Sequence, residues 1–281
     1  MHFLRKTGVV SFGALTFGIA WIPWIVLAAT HTDISTGTGA VVFAVAASGP
    51  SIAAVALWLR RPGVRIAART RPRVSWACLA LMGGALSPAA AAVILDPASI
   101  ATHASSTVAS VGGWLGVVAY TLVSGPLSEE FGWRGYLQPR LRLVMHHPLA
   151  LTAVIGATWA CWHLPLFFVP GTRQHDDGLL SYSGLCLLAS FFPLSFVALL
   201  LTERLRGGVP AAILLHAAWN MTGALMPPTR GAGAVLQLAV LVAVALLLGA
   251  WWRRHPAPTA TPALWGHGES GRLDREPAKR M

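Results

Sequence analysis

Three short segments place ionisable or amide side chains inside apolar stretches of the chain. They read LSEEFGWR at residues 127–134, WACWH at residues 159–163 and HAAWN at residues 216–220. A charged side chain at the centre of a hydrocarbon layer costs at least about 2.5 kcal/mol, so such groups usually line a cavity or pair with one another. We expect these three segments to carry the chemistry of the protein.

The first segment holds two adjacent carboxylates and an arginine. Glu130 and Arg134 are four residues apart, so on a helix they share one face, with the acid N-terminal to the base, which is the favourable order for an ion pair. Glu129 lies about 100° around the helix from Glu130, so the same arginine neutralises it less well. The spacing predicts that Glu130 is paired and that Glu129 is free for proton transfer.

The other two segments supply histidines and a carboxamide. His216 and Asn220 are also four residues apart, so their side chains project together from one helix face and form a pair of hydrogen-bond donors. Such a pair can stabilise an oxyanion. His163, on a separate helix, can hold a water molecule against Glu129. Together these groups would suffice for hydrolysis of a peptide bond.

Each segment also has a purely structural interpretation. A carboxylate pair at a helix end can face the membrane interface, as would suit Glu203 in its basic surroundings. His163 can make a hydrogen bond between helices, and His216 with Asn220 can form a polar contact of the same kind. The occurrence of all three segments in one chain favours a shared site.

The elements that position these residues are predicted to be membrane-spanning helices. The 281 residues are 55% hydrophobic and 11% charged, and the mean hydropathy is +0.61, which is outside the range of a water-soluble domain. Apolar runs of about 20 residues, the length that crosses a bilayer as a helix, recur along most of the chain. We therefore predict an all-α, polytopic transmembrane helix bundle over residues 1–252. Its eight predicted spans are 8–30, 37–59, 75–95, 111–130, 149–170, 179–201, 209–226 and 233–252.

Charge in the connections predicts the orientation. Arginine and lysine cluster in alternate connections, most densely from Arg60 to Arg73, whereas the other connections carry mainly aspartate. By the positive-inside rule, both termini are predicted to be cytoplasmic. The basic clusters are short and separated by apolar runs, so the +11 net charge indicates membrane orientation and not binding of nucleic acid. Residues 253–281, rich in proline, glycine and charge, are predicted to form a disordered cytoplasmic tail.

The predicted spans leave the depths of the site residues unmatched. Counted from Val111, Glu129 falls near the cytoplasmic edge, whereas His163, counted from Leu149, lies about 21 Å into the membrane. A tilted or shortened helix, or a fifth span that begins deeper, would reconcile the two.

The three segments resemble the signature of the CPBP intramembrane protease family, which includes CAAX prenyl endopeptidases of the Rce type and bacterial Abi proteins. The family pattern is EExxxR, then FxxxH, then HxxxN or HxxxB, on successive helices. Glu129, Glu130 and Arg134 match the first motif, and His216 with Asn220 matches the third. The second is matched at His163, with Trp159 where the family often has phenylalanine. The resemblance extends over residues 111–226.

The resemblance implies a role for each matched residue. Glu129 would activate water, His163 would assist, His216 and Asn220 would stabilise the oxyanion, and Glu130 with Arg134 would support the site. Family members are commonly called metalloproteases, and Glu129, His163 and His216 could supply three ligands to Zn²⁺. HExxH is absent, however, and water activation by glutamate needs no cofactor, so we favour a metal-independent site. The expected partners are the lipid bilayer and a peptide or protein substrate, membrane-associated or prenylated.

Two other functions remain open. Buried glutamate and histidine also form proton relays, so a proton-coupled transporter is one alternative, although a transporter predicts matching features in both halves of the chain. The ionisable groups here instead cluster between residues 129 and 220. A non-catalytic membrane scaffold or immunity protein that retains the motifs is the other alternative.

Overall fold

The computed structural model describes residues 8–60 and 74–255, and in these ranges the regular structure is entirely helical. The fold class predicted from the sequence is confirmed. Most of the arginine-rich connection and the predicted tail from residue 256 onward lie outside the described residues. The last helix includes Arg253 and Arg254, so it runs two residues past the predicted boundary.

The first half of the described chain forms five α-helices. A one-turn 3₁₀ segment, Pro97–Ser99, leads into the fifth. The helices are α1 Val9–Ala29, α2 Gly37–Ala47, α3 Gly49–Arg60, α4 Val74–Leu95 and α5 Ile100–Ser110.

The second half forms eight more α-helices and contains the three motif segments. They are α6 Trp114–Val123, α7 Pro126–Glu130, α8 Gln138–Arg142, α9 Pro148–His163, α10 Arg173–Asp177, α11 Tyr182–Leu199, α12 Gly208–Leu225 and α13 Ala232–Arg254. Three short segments continue these helices with a different winding: the π-helical segments Phe131–Leu137 and Leu200–Arg204, and the 3₁₀ segment Leu164–Phe168.

Five helices of the described chain are long and apolar enough to cross a membrane, and up to seven spans result if each of two bent helix pairs counts as one. The chain is therefore a multi-pass membrane protein. The predicted span 37–59 is one of the bent pairs, with an angle of 57° between α2 and α3. Pro50 lacks the N–H that would continue the helix, which accounts for the break. The predicted span 209–226 forms helix α12, which is not among the candidate spans.

The fourth span differs most from its prediction. Gly112 and Gly113 adopt positive φ angles of 81° and 94°, which separate α5 from the next helix at a bend of 81°. The helical stretch then starts at Trp114 and runs past Glu130 to Arg142, where the sequence predicted a span of 111–130. Trp159 on α9 binds Glu129 through its indole and His163 through its carbonyl oxygen. Their depths therefore match.

Helix α12 is held close to α4 by a glycine. A Cβ atom at Gly84 would lie 2.9 Å from both the Ala218 Cβ and the backbone nitrogen of Trp219. Small residues at such contacts let helix backbones approach closely within a membrane. This packing fixes the position of the helix that carries His216 and Asn220.

Glu203 lies at the end of the bundle where α8 meets the second π-helical segment. Its carboxylate accepts hydrogen bonds from Arg142 Nη2 at 2.8 Å and from Gln138 Nε2 at 3.0 Å. The residues that follow Glu203 in the sequence include two arginines, Arg204 and Arg206. The structure instead gives it a partner 61 residues away, and the pair ties α8 to the end of α11.

Candidate active site

Glu130 and Arg134 form an ion pair at the junction of α7 and the first π-helical segment. Arg134 Nη1 lies 3.2 Å from Glu130 Oε1, and both side chains are about 1% exposed. Arg134 also donates to Ser195 Oγ at 3.3 Å, and its guanidinium carbon lies 4.3 Å from the ring centroid of Trp159. This pair has the i,i+4 geometry that the sequence predicted. Removing one partner of a buried pair typically costs about 3–5 kcal/mol, because the other charge is left uncompensated.

The same carboxylate oxygen also binds His216. Glu130 Oε1 lies 2.9 Å from His216 Nδ1, across 86 residues of sequence. An ionised carboxylate only accepts hydrogen bonds, so Nδ1 carries a proton. Glu130 thus fixes the orientation of the imidazole, and the Nε2 atom points away from this contact.

His216 Nε2 and Asn220 Nδ2 converge on the backbone of Gly125. A Cβ atom built at Gly125 would lie 2.9 Å from the histidine nitrogen and 2.7 Å from the asparagine nitrogen. Gly125 precedes α7, and its carbonyl oxygen accepts the backbone N–H of Glu129 at 2.8 Å. The two side chains that the sequence placed on one helix face therefore meet at one point, one turn before Glu129.

Glu129 is held by two tryptophans. Its Oε2 atom accepts hydrogen bonds from the indole Nε1 of Trp133 at 3.1 Å and from that of Trp159 at 2.5 Å. The residue is 5% exposed. Its Oε1 atom accepts no hydrogen bond from the residues that the structure describes, so this oxygen is the one available to a substrate or a water molecule.

His163 lies at the end of α9 in an aromatic setting. Its Nδ1 atom is 2.9 Å from the carbonyl oxygen of Trp159, and its ring stacks on Phe191 with centroids 4.4 Å apart. A carbonyl oxygen only accepts, so Nδ1 donates and, in the neutral ring, Nε2 has a lone pair. The histidine can therefore accept a hydrogen bond from water through Nε2.

Trp159 is the residue that connects the parts of the site. Its indole binds Glu129, its carbonyl oxygen binds His163, and its ring packs against the edge of His216 at 5.3 Å. The structure shows this one tryptophan in contact with both Glu129 and His163, and the water molecule that the sequence predicted between them stays a prediction.

The predicted zinc ligands do not form a metal-binding group in this arrangement. Within residues 8–60 and 74–255, no three histidine, cysteine, aspartate or glutamate side chains lie where they could hold one metal ion. Several of the atoms that would bind zinc have other partners: Glu129 Oε2 accepts two indole N–H groups, and Nδ1 of each histidine binds an oxygen. We derive no step through a metal.

Sequence reasoning missed the roles of Gly125, Trp133 and Trp159. Trp133 is four residues after Glu129, so helical spacing alone could have identified it as a neighbour of the carboxylate. Gly125 and Trp159 gave no such signal, because their contacts depend on which helices lie opposite each other.

The part of the chain that contains the three motifs is similar to known proteins. Residues 111–222 match the family described as type II CAAX prenyl endopeptidase Rce1-like. A protein named CAAX prenyl protease 2, from Methanococcus maripaludis, is 29% identical over 138 residues, which is 47% of this chain and 49% of the relative. The match thus spans about half the length of the relative. All three motifs lie inside the matched segment, and the resemblance predicted from them is confirmed: residues 111–222 are similar to the Rce1-like type of CAAX endopeptidase within the CPBP family.

Proposed function

We propose that this protein is an intramembrane endopeptidase of the CAAX type, in which Glu129 activates the water that hydrolyses the peptide bond. One observation supports this proposal above the others. A buried carboxylate, one oxygen of which accepts no hydrogen bond from the described part of the chain, lies one helical turn from a pair of side-chain nitrogens that converge on Gly125. A base for water and donors for an oxyanion are the two requirements of acyl transfer.

The proposed roles follow from the partners of each side chain. Glu129 Oε1 takes a proton from water while His163 Nε2 orients that water, and the new oxygen–carbon bond forms at the scissile carbonyl. The carbonyl electron pair moves onto its oxygen, where Asn220 donates a hydrogen bond and His216 donates a second one through Nε2 when its ring carries both protons. Collapse of this intermediate re-forms the carbonyl and breaks the C–N bond, and Glu129 Oε1 passes its proton to the leaving amine. Glu130 and Arg134 act through His216, whose ring they hold in place.

The proposed substrate is a peptide or protein that reaches the site from the membrane. Its carbonyl would enter beside Gly125. Prenylation of the substrate is suggested by the name of the archaeal relative, which describes that protein alone. The proposal includes the predicted orientation with both termini in the cytoplasm.

Cleavage of a fluorogenic peptide library by the purified protein in lipid tests the proposal. The library should contain matched farnesylated and unmodified peptides, so that a requirement for the prenyl group is measured directly. Wild-type protein is expected to cleave at least one peptide, and Glu129→Ala is expected to remain inserted and lose cleavage. Glu203→Gln is the matched control, because it changes another carboxylate of the bundle that lies outside the site.

The same cleavage assay, run with and without a strong chelator, tests whether the mechanism is independent of a metal ion. Cleavage that is unaffected by a strong chelator supports activation of water by glutamate alone. Loss of cleavage that Zn²⁺ restores would contradict it and would make Glu129, His163 and His216 metal ligands. Wild-type turnover by Glu129→Ala, or no cleavage of any peptide, would contradict the proposed function.

A further inference from the structure

We propose that Trp133 and Trp159 form an indole clamp, which positions Glu129 by binding Oε2 and thereby reserves Oε1 for the attacking water. This inference rests on the proposed function and adds two positioning residues to it.

The two indoles of the clamp come from two separate helical segments. Trp133 lies in the π-helical segment, four residues after Glu129, and donates from the same stretch of chain. Trp159 donates from α9, 30 residues away. The carboxylate is thus fixed from two directions, so rotation about its own side-chain bonds would break at least one hydrogen bond.

Both indoles are themselves immobilised. Trp133 is fully buried and packs edge-on against Trp162 and Phe12, with centroids 5.9 and 5.8 Å away. Trp159 is 1% exposed and packs on Phe191 at 4.7 Å. Close-packed side chains of this kind have few alternative rotamers, so the donors are preorganised.

The chemistry of the two donors makes the two carboxylate oxygens unequal. An indole N–H only donates, so it pairs with a carboxylate oxygen that carries negative charge and not with a hydroxyl hydrogen. With both indoles on Oε2, the proton taken from water goes to Oε1. The indoles keep their bonds to Oε2 during this transfer, so the carboxylate need not reorient in the transition state.

Trp159 also links the clamp to the second water-binding group. Its carbonyl oxygen receives His163 Nδ1 while its indole binds Glu129. Phenylalanine, which the family often has at this position, would preserve the backbone contact with His163 and the ring packing. Of the hydrogen bonds at the site it would remove only the one to Glu129, and it would reduce the ring surface that faces Arg134 and His216.

Trp159→Phe is therefore the variant that tests the clamp, and Trp24→Phe is its matched control. Trp24 is also fully buried, but its Nε1 atom has no hydrogen-bond partner among the described residues. Both changes remove the same atoms from an aromatic core, and only one removes a bond to Glu129.

The kinetic measurement uses the best peptide found in the library. Trp159→Phe is expected to lower kcat by about tenfold or more while KM stays within about twofold, because the proposed role of the indole is to position Glu129 and not to bind substrate. Trp24→Phe is expected to leave both constants within about twofold of wild type. Equal effects of the two variants, or a change confined to KM, would overturn the positioning role.

A spectroscopic measurement tests the clamp without relying on activity. In protein labelled with ¹⁵N at the indole nitrogens, single Trp→Phe variants assign the Trp133 and Trp159 signals. Both indole N–H protons are expected to have downfield chemical shifts in wild type. These shifts are expected to move upfield in Glu129→Ala and to remain unchanged in Glu203→Gln. Signals that do not respond to Glu129→Ala would overturn the clamp. If wild type cleaves no peptide, the proposed function and the catalytic part of this inference fail, while the spectra still decide whether the clamp exists.

Discussion

The two ring nitrogens of His216 have different partners, and this difference decides what the imidazole can do. Nδ1 is committed to Glu130, so Nε2 donates a hydrogen bond only when the ring carries a second proton. The amide nitrogen of Asn220 donates in every state. At the residue scale, Asn220 is therefore the constant donor toward Gly125, and His216 is a donor whose strength depends on Glu130.

Gly125→Ala is expected to lower kcat by about tenfold or more, equivalent to about 1.4 kcal/mol in the barrier. The new methyl group would occupy the point where His216 Nε2 and Asn220 Nδ2 converge. Peptide cleavage in lipid measures the effect. Gly223→Ala is the control, because it lies on the same helix as the donor pair and its Cβ would meet nothing within 4 Å. Unchanged turnover of Gly125→Ala would show that the oxyanion does not occupy this space.

At the scale of elements, the site depends on how closely α4 approaches α12. Gly84 allows this approach, and α12 carries both members of the donor pair. Glu129, the proposed base, lies on α7, so a shift of α12 would change the distance between this base and the proposed donors. Gly84 has no reactive side chain, but its contact with α12 thus affects the geometry of the site.

Gly84→Val is expected to reduce both the resistance to unfolding in mild detergent and peptide cleavage. The added side chain would meet the Ala218 Cβ and the backbone of α12, which cannot move without the whole helix. A loss of about 1–3 kcal/mol is typical of overpacking in a well-packed interior. Gly18→Ala, where a Cβ meets nothing within 4 Å, should behave as wild type. Full activity and stability of Gly84→Val would contradict the close packing.

The elements also show what sequence reasoning can recover. Hydropathy located α1, α4 and α13 within a few residues, since each is a long apolar run with polar ends. It placed the end of the fourth span at residue 130, because the glutamates and arginines that follow look like a membrane boundary. In the structure Glu130 pairs with Arg134, and Arg142 pairs with Glu203, which a hydropathy profile cannot register.

The same limit applies to the candidate site. Spacing along one helix predicted the Glu130–Arg134 pair and the convergence of His216 with Asn220. Contacts between helices, such as Glu130 with His216 and Glu129 with Trp159, depend on how helices face each other, and no single-helix pattern contains that information.

At the scale of the whole molecule, the distribution of arginine predicts the orientation of the bundle. An epitope at either terminus is expected to be accessible only from the cytoplasmic side of sealed membrane vesicles, and an epitope inserted after Asp176 only from the other side. Protease protection in right-side-out and inverted vesicles measures both. Protection of all three epitopes on the same side would contradict the predicted orientation.

The 86 residues between Glu130 and His216 also bear on how the protein is made. At about 5–20 residues per second, roughly 4–17 s of synthesis separate the two. During that interval Glu130 has Arg134 from the adjoining π-helical segment, whereas His216 and, at first, the indole of Trp159 have not yet been synthesised. Two glutamates in this state are poorly accommodated by lipid. We therefore expect the helix that bears them to be retained at the insertion machinery until its later partners emerge from the ribosome.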